Sequence, residues 1–328
     1  MIDLPRRASA QEMPVLDLAD WLAGGSPDAL VAALHAACTN TGFFYVSGHG
    51  VPAGVVDNVF DATRRYFDLP QDTRMADVID PRFRRGFMPY GRNKHAGFDA
   101  DLKESFDFAV DLPMTDPDVA AGRPLHGPNR WPACAPWLKD AAEDYHRHTW
   151  RLGLQLLRLF ALALGQREDF FLQWAHKPLV GTRLFHYPPQ PVDTERALGV
   201  APHTDYGMVT ILAQDPIGGL ELLKRDGEWV AAPWIEDTFV VNLGDLFKVW
   251  TNDVFVSNVH RVVNRTGRER YSIPTFLNLD FDAPVVCLPS CLAPGETPRH
   301  APTTSGEYLL GRFAAVQGYT YRAPQAVN

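Results

Sequence analysis

Hydrophobic positions recur along this chain with two different periods, and the change from one to the other divides it. In the first half the recurrence is helical. Leu30, Leu34 and Ala37 fall on one face of a segment opened by Ser26-Pro27-Asp28, which predicts a helix from about Ala29 to Asn40. A second helix is predicted from about Ala53 to Phe67, stopped near Pro70, and a long amphipathic one from about Pro136 to Leu164, ended by Gly165. The long helix gathers Trp150, Leu154, Leu157, Phe160 and Leu164 into one stripe, the signature of core scaffold. PVLDL (14–18) and GFFYVSGHGV (42–51) read as strands, while residues 80–130 carry Pro and Gly at close spacing and read as loop-rich.

From Gly181 onward the period is two. TRLFHY, MVTILAQ, LELLKR, TFVVNL, LFKVWT, VFVSNVHRVV and RYSIPTFLNLD are short β-prone runs, separated by turn signals such as Gly218-Gly219, Asp226-Gly227 and Thr266-Gly267. Strands this short at regular spacing predict a sandwich or jelly roll rather than a parallel sheet. Pro274 lacks an N–H for a ladder, so the last run is expected at an edge or a bulge. The fold class expected is α+β, mainly β, with a jelly-roll (double-stranded β-helix) core flanked by helices from the N-terminal half.

Composition narrows the function. The 328 residues are 46% hydrophobic and 21% charged, ordinary for a soluble globular chain with ample core. A net charge of −8 with no long basic run disfavours nucleic acid, which demands a basic footprint. No stretch approaches 18 uninterrupted apolar residues and the first residues lack a signal-peptide apolar region, so neither membrane nor export is expected. The four cysteines, Cys38, Cys134, Cys287 and Cys291, suggest no disulfide framework and fit a cytoplasmic protein. Cys287-x-x-x-Cys291 has only His300 nearby to complete a zinc site and reads as structural.

One constellation carries chemistry. His203 and Asp205 stand in APHTDYG, and 54 residues separate Asp205 from His260 in SNVHRVV. Two imidazoles and a carboxylate form the facial triad that holds non-haem Fe(II) and leaves positions open for a co-substrate and O₂. On extended chain, residues i and i+2 share a face, so His203 and Asp205 can converge on one ion. The intervening segment holds about four strands, enough for a roll to return His260 to the same mouth. Ten residues on, Arg270 and Ser272 alternate onto one face and offer a guanidinium fork plus a hydroxyl, a grip for a carboxylate. Phe276 and Asn278 continue that face toward a substrate pocket.

Together with Tyr187-Pro188-Pro189, Gly218-Gly219-Leu220 and VVNLGDL, these motifs resemble the isopenicillin N synthase-like branch of the 2-oxoglutarate/Fe(II) dioxygenases. MPVLDL, TGFFYVSGHGV, the RRGF loop, LKESFDF and ALALGQREDFF resemble its amino-terminal domain, so the likeness runs from about Pro14 to Gly318. The resemblance implies iron on His203, Asp205 and His260, and 2-oxoglutarate with its distal carboxylate on Arg270 and Ser272, assisted by Tyr187. It implies a substrate contact at Arg85, and at Phe185 it departs from the family, which usually has Asn there. It further implies residues 1–110 as the N-terminal family domain with strands that extend the roll, and 111–180 as connecting loop and scaffold helix. Residues 181–290 then form the oxygenase core and 291–328 a C-terminal helix and tail.

The expected reaction is oxidation of a small metabolite, by hydroxylation, desaturation or ring closure, in biosynthetic tailoring, by a monomer or weak homo-oligomer. The penicillin-forming relative uses the same Arg-x-Ser on its substrate and needs no 2-oxoglutarate, so an oxidase stands as the alternative. A zinc hydrolase with His₂-carboxylate ligation, or a non-catalytic sensor, stands further off. His49, His146, His148 and His186 read as packing or turn residues, Lys103-Glu104 as fold-building charges, and Asp245 as a turn or cap between strands.

Overall fold

The computed structural model describes residues 5–92, 98–190 and 198–317. Its strands are β1 Val15–Asp17, β2 Phe43–Ser47, β3 Gly86–Met88, β4 Glu104–Ala109, β5 Gly181–Tyr187, β6 Val200–His203, β7 Val209–Gln214, β8 Leu220–Leu223, β9 Trp229–Ala231, β10 Phe239–Leu243, β11 His260–Val262, β12 Arg270–Leu277, β13 Pro284–Val285 and β14 Thr303–Thr304. Its α-helices are α1 Ala19–Leu22, α2 Asp28–Asn40, α3 Ala53–Phe67, α4 Gln71–Met75, α5 Pro117–Ala120, α6 Pro136–Ala163, α7 Asp245–Trp250 and α8 Ser305–Gln317. None of the described helices is long and apolar enough to cross a membrane. The expected tail, 318–328, lies outside the described residues.

Two sheets form the double-stranded β-helix. The larger has the order β1-β2-β10-β7-β12-β5-β4-β3, the smaller β6-β11-β8-β9. Segments of the N-terminal half extend both edges of the larger sheet. Alternation decides what each strand gives to either side. Phe43, Tyr45, Phe185, Tyr187, Leu212 and Val240 point into the roll, where they meet Val200, Leu222 and Val262 of the smaller sheet. Their neighbours Phe44, Val46, Leu184, Ile211, Val241 and Ile273 point outward into a second apolar layer shared with the helices. Fully burying each such side chain contributes on the order of 1.5–3 kcal/mol, and a one-residue slip of register would exchange the two faces.

Helix α6 begins with Pro136 at a position where no N–H is needed, and lies on this outer face. The Tyr145 hydroxyl donates to the Ile273 carbonyl at 2.9 Å, and Gly153 leaves room for Leu277. His146 bonds Thr182 and packs on Phe108, as a packing residue should. His49 caps its own turn by accepting from the Val51 N–H.

The structure corrects three expectations. LFKVWT is not a strand but the helix α7, so Asp245 opens a helix instead of sitting in a turn between strands. Within the loop-rich 80–130, β3 and the wholly buried β4 are strands. Pro274 lies at neither edge nor bulge: β12 runs between β7 and β5. Its ladder to β5 skips Ile273 and Pro274 and resumes in the same register at Thr275, while the pairing to β7 continues through Pro274. One missing N–H costs one local break, and the uninterrupted ladder on the other side carries the strand.

Candidate active site

His203 ends β6, and its Cα partner across the smaller sheet is His260 at the start of β11. The two rings lie 4.3 Å apart between centroids. Each Nδ1 is tied to a backbone carbonyl two residues earlier, His203 to Ala201 at 2.8 Å and His260 to Asn258 at 3.1 Å. Those bonds put the proton on Nδ1 and leave the Nε2 lone pairs for a metal. Both Nε2 atoms face Asp205 Oδ1, at 3.8 and 3.9 Å. The other oxygen, Oδ2, accepts from Thr210 Oγ1 at 2.6 Å and Asn242 Nδ2 at 2.7 Å. One atom from each of the three residues is thus left over, all within 4.8 Å of one another. This donor set fits a divalent ion of the Fe(II) type.

Electrostatics prepares the same state. Burial, with repulsion from His260, pushes the His203 imidazole down to about 3, so it is neutral and able to ligate at ordinary pH. Burial pushes the Asp205 carboxyl up, but His260, His203, Thr210 and Asn242 together hold it below the usual carboxylate range. Replacing Asn242 by Leu would free one Asp205 oxygen to swing, and we expect about a 10–100-fold loss in Fe(II) affinity, measured by anaerobic titration.

The loop that carries Asp205 is clasped by α7. The N–H groups of Gly244, Asp245 and Leu246 donate to the carbonyls of Met208, Asp205 and Gly207 at 2.9, 2.8 and 3.0 Å. Thr204 Oγ1 donates to the Asp245 carboxylate at 3.1 Å. A side chain at Gly244 would place its Cβ 2.3 Å from the Gly207 carbonyl oxygen, a backbone atom that cannot step aside. Gly244→Ala is therefore expected to displace the Asp205 loop and weaken metal binding by at least about tenfold, with a loss of stability in the range typical of core strain, about 1–3 kcal/mol. Metal titration alongside thermal melting checks it.

Arg270 is wholly buried, the largest polar side chain so placed. Its Nε donates to the Gly218 carbonyl, and its NH1 reaches Ser272 Oγ at 3.2 Å. The approach of Gly218 depends on Gly219, at φ 93, whose Cβ would meet the Val263 carbonyl oxygen at 2.7 Å. The ring of Tyr187 lies 4.6 Å from the guanidinium carbon. Among the described residues Arg270 makes no ion pair, and its NH2 is buried without a hydrogen-bond partner. A buried guanidinium in that condition fits a ligand carboxylate.

Comparison with known proteins agrees with this chemistry. Residues 13–134 match the family model described as non-haem dioxygenase in morphine synthesis N-terminal, and residues 180–279 match the 2OG-Fe(II) oxygenase superfamily. A 2-oxoglutarate-Fe(II) type oxidoreductase of Emericella nidulans is 34% identical over 93% of this chain and 90% of its own length. The chain belongs to the 2OG-Fe(II) oxygenase superfamily. A 2-oxoglutarate-dependent dioxygenase of Penicillium crustosum is 34% identical over 83% of this chain and 85% of its own. The solved structure of a full-length Neurospora crassa protein in complex with α-ketoglutarate and thymine superposes with a TM-score of 0.82, at 27% identity, covering 92% of this chain and 96% of that one. The protein is an Fe(II)- and 2-oxoglutarate-dependent dioxygenase, and it uses O₂.

A cavity of about 1410 Å³ opens on His203 and Asp205 of the oxygenase. Phe185, Phe276, Asn278 and Arg85 all line it. Asn278 has both ends of its amide, and Arg85 both terminal nitrogens, engaged elsewhere. Asn278 accepts from the Met208 N–H and donates to the Leu179 carbonyl, each at 3.1 Å, so its amide pins the Asp205 loop to the segment leading into β5. Arg85 donates from NH1 to Phe83 at 2.7 Å and from NH2 to Leu125 at 3.2 Å, both backbone carbonyls. Burial lowers its guanidinium to about 10, which leaves it charged.

Lys103, taken from sequence as a fold-building charge, stands in the cavity wall with Nζ 2.8 Å from Asp101. Its neighbour Glu104 points to the opposite face and holds Arg74 and His186. Arg183, not singled out from sequence, also lines the cavity. Period two would have found it, because it precedes Phe185 and Tyr187 on the inward face of β5. His300 is engaged by Asp253, and the described residues bring His203, Asp205 and His260 together as their single metal-ligand group.

Proposed function

We propose that this oxygenase binds Fe(II) through His203 Nε2, Asp205 Oδ1 and His260 Nε2, and anchors 2-oxoglutarate through Arg270 and Ser272. When bound, that pair with O₂ supplies oxidative decarboxylation to succinate and CO₂ and the power to oxidise an unactivated C–H bond. The chain's own part is placement. Arg270 NH2 and Ser272 Oγ hold the distal carboxylate, and Tyr187 closes the site below the guanidinium. Thr210 and Asn242 fix the Asp205 carboxylate so that one oxygen stays with the metal. A small organic substrate lies in the cavity beside His203 and Asp205, against Phe185 and Phe276, in a tailoring oxidation.

The observation that carries this reading is the buried, unpaired guanidinium of Arg270. The oxidase alternative would spend that guanidinium on the substrate itself. The 2-oxoglutarate dependence named for the relatives from Emericella nidulans and Penicillium crustosum favours the separate co-substrate. The ligand triad, the anchor and the wall all come from one chain, so we take the monomer as the active unit.

The deciding experiment follows 2-oxoglutarate consumption during substrate oxidation. One succinate per oxidised substrate is the expected result, and oxidation without 2-oxoglutarate would overturn the reading.

A further inference from the structure

The floor of the cavity is ruled by strand register. Ser105 of β4 stands opposite Phe185 of β5, and Phe185 opposite Ser272 of β12. In the next row Asp107 stands opposite Arg183, and in the one after it Ala109 faces Gly181, which faces Phe276. All of these alternate to the inner face. Moving out from Arg270, the chain therefore lays down an aromatic row, a charged row and a second aromatic row.

The charged row is half-neutralised in a particular way. Asp107 accepts from Ser105 Oγ at 2.6 Å and forms an ion pair with Arg183 Nε at 3.1 Å. That ion pair holds the Arg183 guanidinium through its inner nitrogen. Among the described residues neither terminal nitrogen of Arg183 donates a hydrogen bond, and its side chain keeps 26% of its exposure although it lines the cavity. The guanidinium carbon sits 5.3 Å from the centroid of the Phe276 ring, which restrains its plane. On the other side of Phe185, Lys103 Nζ lies 5.0 Å from that ring. The cavity wall as a whole holds seven Arg or Lys against four Asp. The chain itself carries a net charge of −8, so this local excess concentrates anions where the rest of the surface repels them.

We propose that Arg183 is the specificity-determining residue of the substrate chamber and that the substrate is a carboxylic acid. Its carboxylate takes the two terminal nitrogens of Arg183 in a bidentate fork, and its apolar body rests on Phe185 and Phe276. Lys103 supplies a second positive charge on the far side of Phe185. Arg85 cannot take this role, because its terminal nitrogens already serve Phe83 and Leu125. The inference rests on the cavity being the oxygenase's substrate chamber.

The test is equilibrium binding, read by calorimetry on the anaerobic Fe(II)·2-oxoglutarate enzyme. The probes are benzoate, phenylacetate and indole-3-carboxylate, each beside its primary amide, which keeps the shape and loses the charge. At least one acid should bind the wild type more tightly than its amide by about tenfold or more, the factor one charge-assisted hydrogen bond supplies. Arg183→Gln should erase that preference. Arg183→Lys, which keeps the ion pair to Asp107 but not the fork, should reduce it and serves if the Gln variant does not fold. The proposal is overturned if no acid binds, if acids and amides bind alike, or if both Arg183 variants retain the full preference. 2-Oxoglutarate affinity is measured on the same samples. Its absence, with acid preference intact, would strike the co-substrate reading instead, and the converse would strike this one.

Discussion

Asp205→Ala is expected to abolish Fe(II) binding and substrate oxidation while leaving a folded protein. The carboxylate is the single negative charge among the three proposed ligands, and its ionised form is favoured by both imidazoles and by two neutral donors. Without it the metal would have two neutral nitrogens, with no charge to offset its own. Two donors, Thr210 Oγ1 and Asn242 Nδ2, would also lose their acceptor. Leaving a buried donor unsatisfied costs about 1–3 kcal/mol. Here that cost is moderated, because the deleted side chain opens onto the cavity and water can replace it. Removing the carboxylate also relieves the cost of burying its charge. We therefore expect a modest change in melting temperature for the metal-free protein and loss of stoichiometric Fe(II) uptake by equilibrium dialysis. Turnover near the wild-type rate would sink the assignment of Asp205 as a ligand. Unfolding of the variant would not, because metal uptake by Asp205→Asn, which preserves shape and one acceptor oxygen, reads the missing charge separately.

The parts of this site that were legible in the sequence are those set by alternation. Arg270 and Ser272 share a face because β12 is extended, and Phe276 and Asn278 follow them into the cavity wall for the same reason. Four strands, β7 to β10, do separate Asp205 from His260, and antiparallel return brings the two histidines opposite each other. What was not legible depends on tertiary contact. LFKVWT has the aromatic and β-branched content of a strand, yet it is helical because its first N–H groups find their acceptors on the Asp205 loop. No local pattern encodes those acceptors. β4 was hidden differently: Pro- and Gly-rich flanks surround it, and its alternating polar residues, Ser105 and Asp107, look solvated until a cavity is placed beside them. For Arg183 the signal was present. A charge at an inward position of a strand whose neighbours are Phe185 and Tyr187 has a reason to be there, and alternation alone names that position.

Arg270→Met should do two opposite things. In the absence of 2-oxoglutarate the variant is expected to be as stable as the wild type or more so. Arg270 is fully buried, the carboxylate that feels its charge is Asp215, and both oxygens of that group already accept from the backbone N–H groups of Tyr271 and Ile217. Burial pushes the Asp215 carboxyl up despite the attraction of Arg270, and among the described residues the two form no ion pair. A buried charge without a full partner costs several kcal/mol, and replacing it with an apolar chain of similar length removes that cost. In the presence of 2-oxoglutarate the order reverses. A ligand at a hundred times its Kd stabilises the protein that binds it by about 2.7 kcal/mol. The variant forfeits that stabilisation, because loss of a buried partner of a charge pair costs about 2–5 kcal/mol in affinity. Arg270→Lys keeps the charge but not the fork and should fall between the two. Thermal melting with and without 2-oxoglutarate, on protein loaded anaerobically with Fe(II), reads both effects, and Fe(II) uptake should be unchanged throughout. A Met variant that still melts higher with 2-oxoglutarate by the wild-type increment would remove Arg270 from the co-substrate site. One that is markedly less stable without it would make the guanidinium a structural element, held by Gly218 and Ser272 for the fold alone.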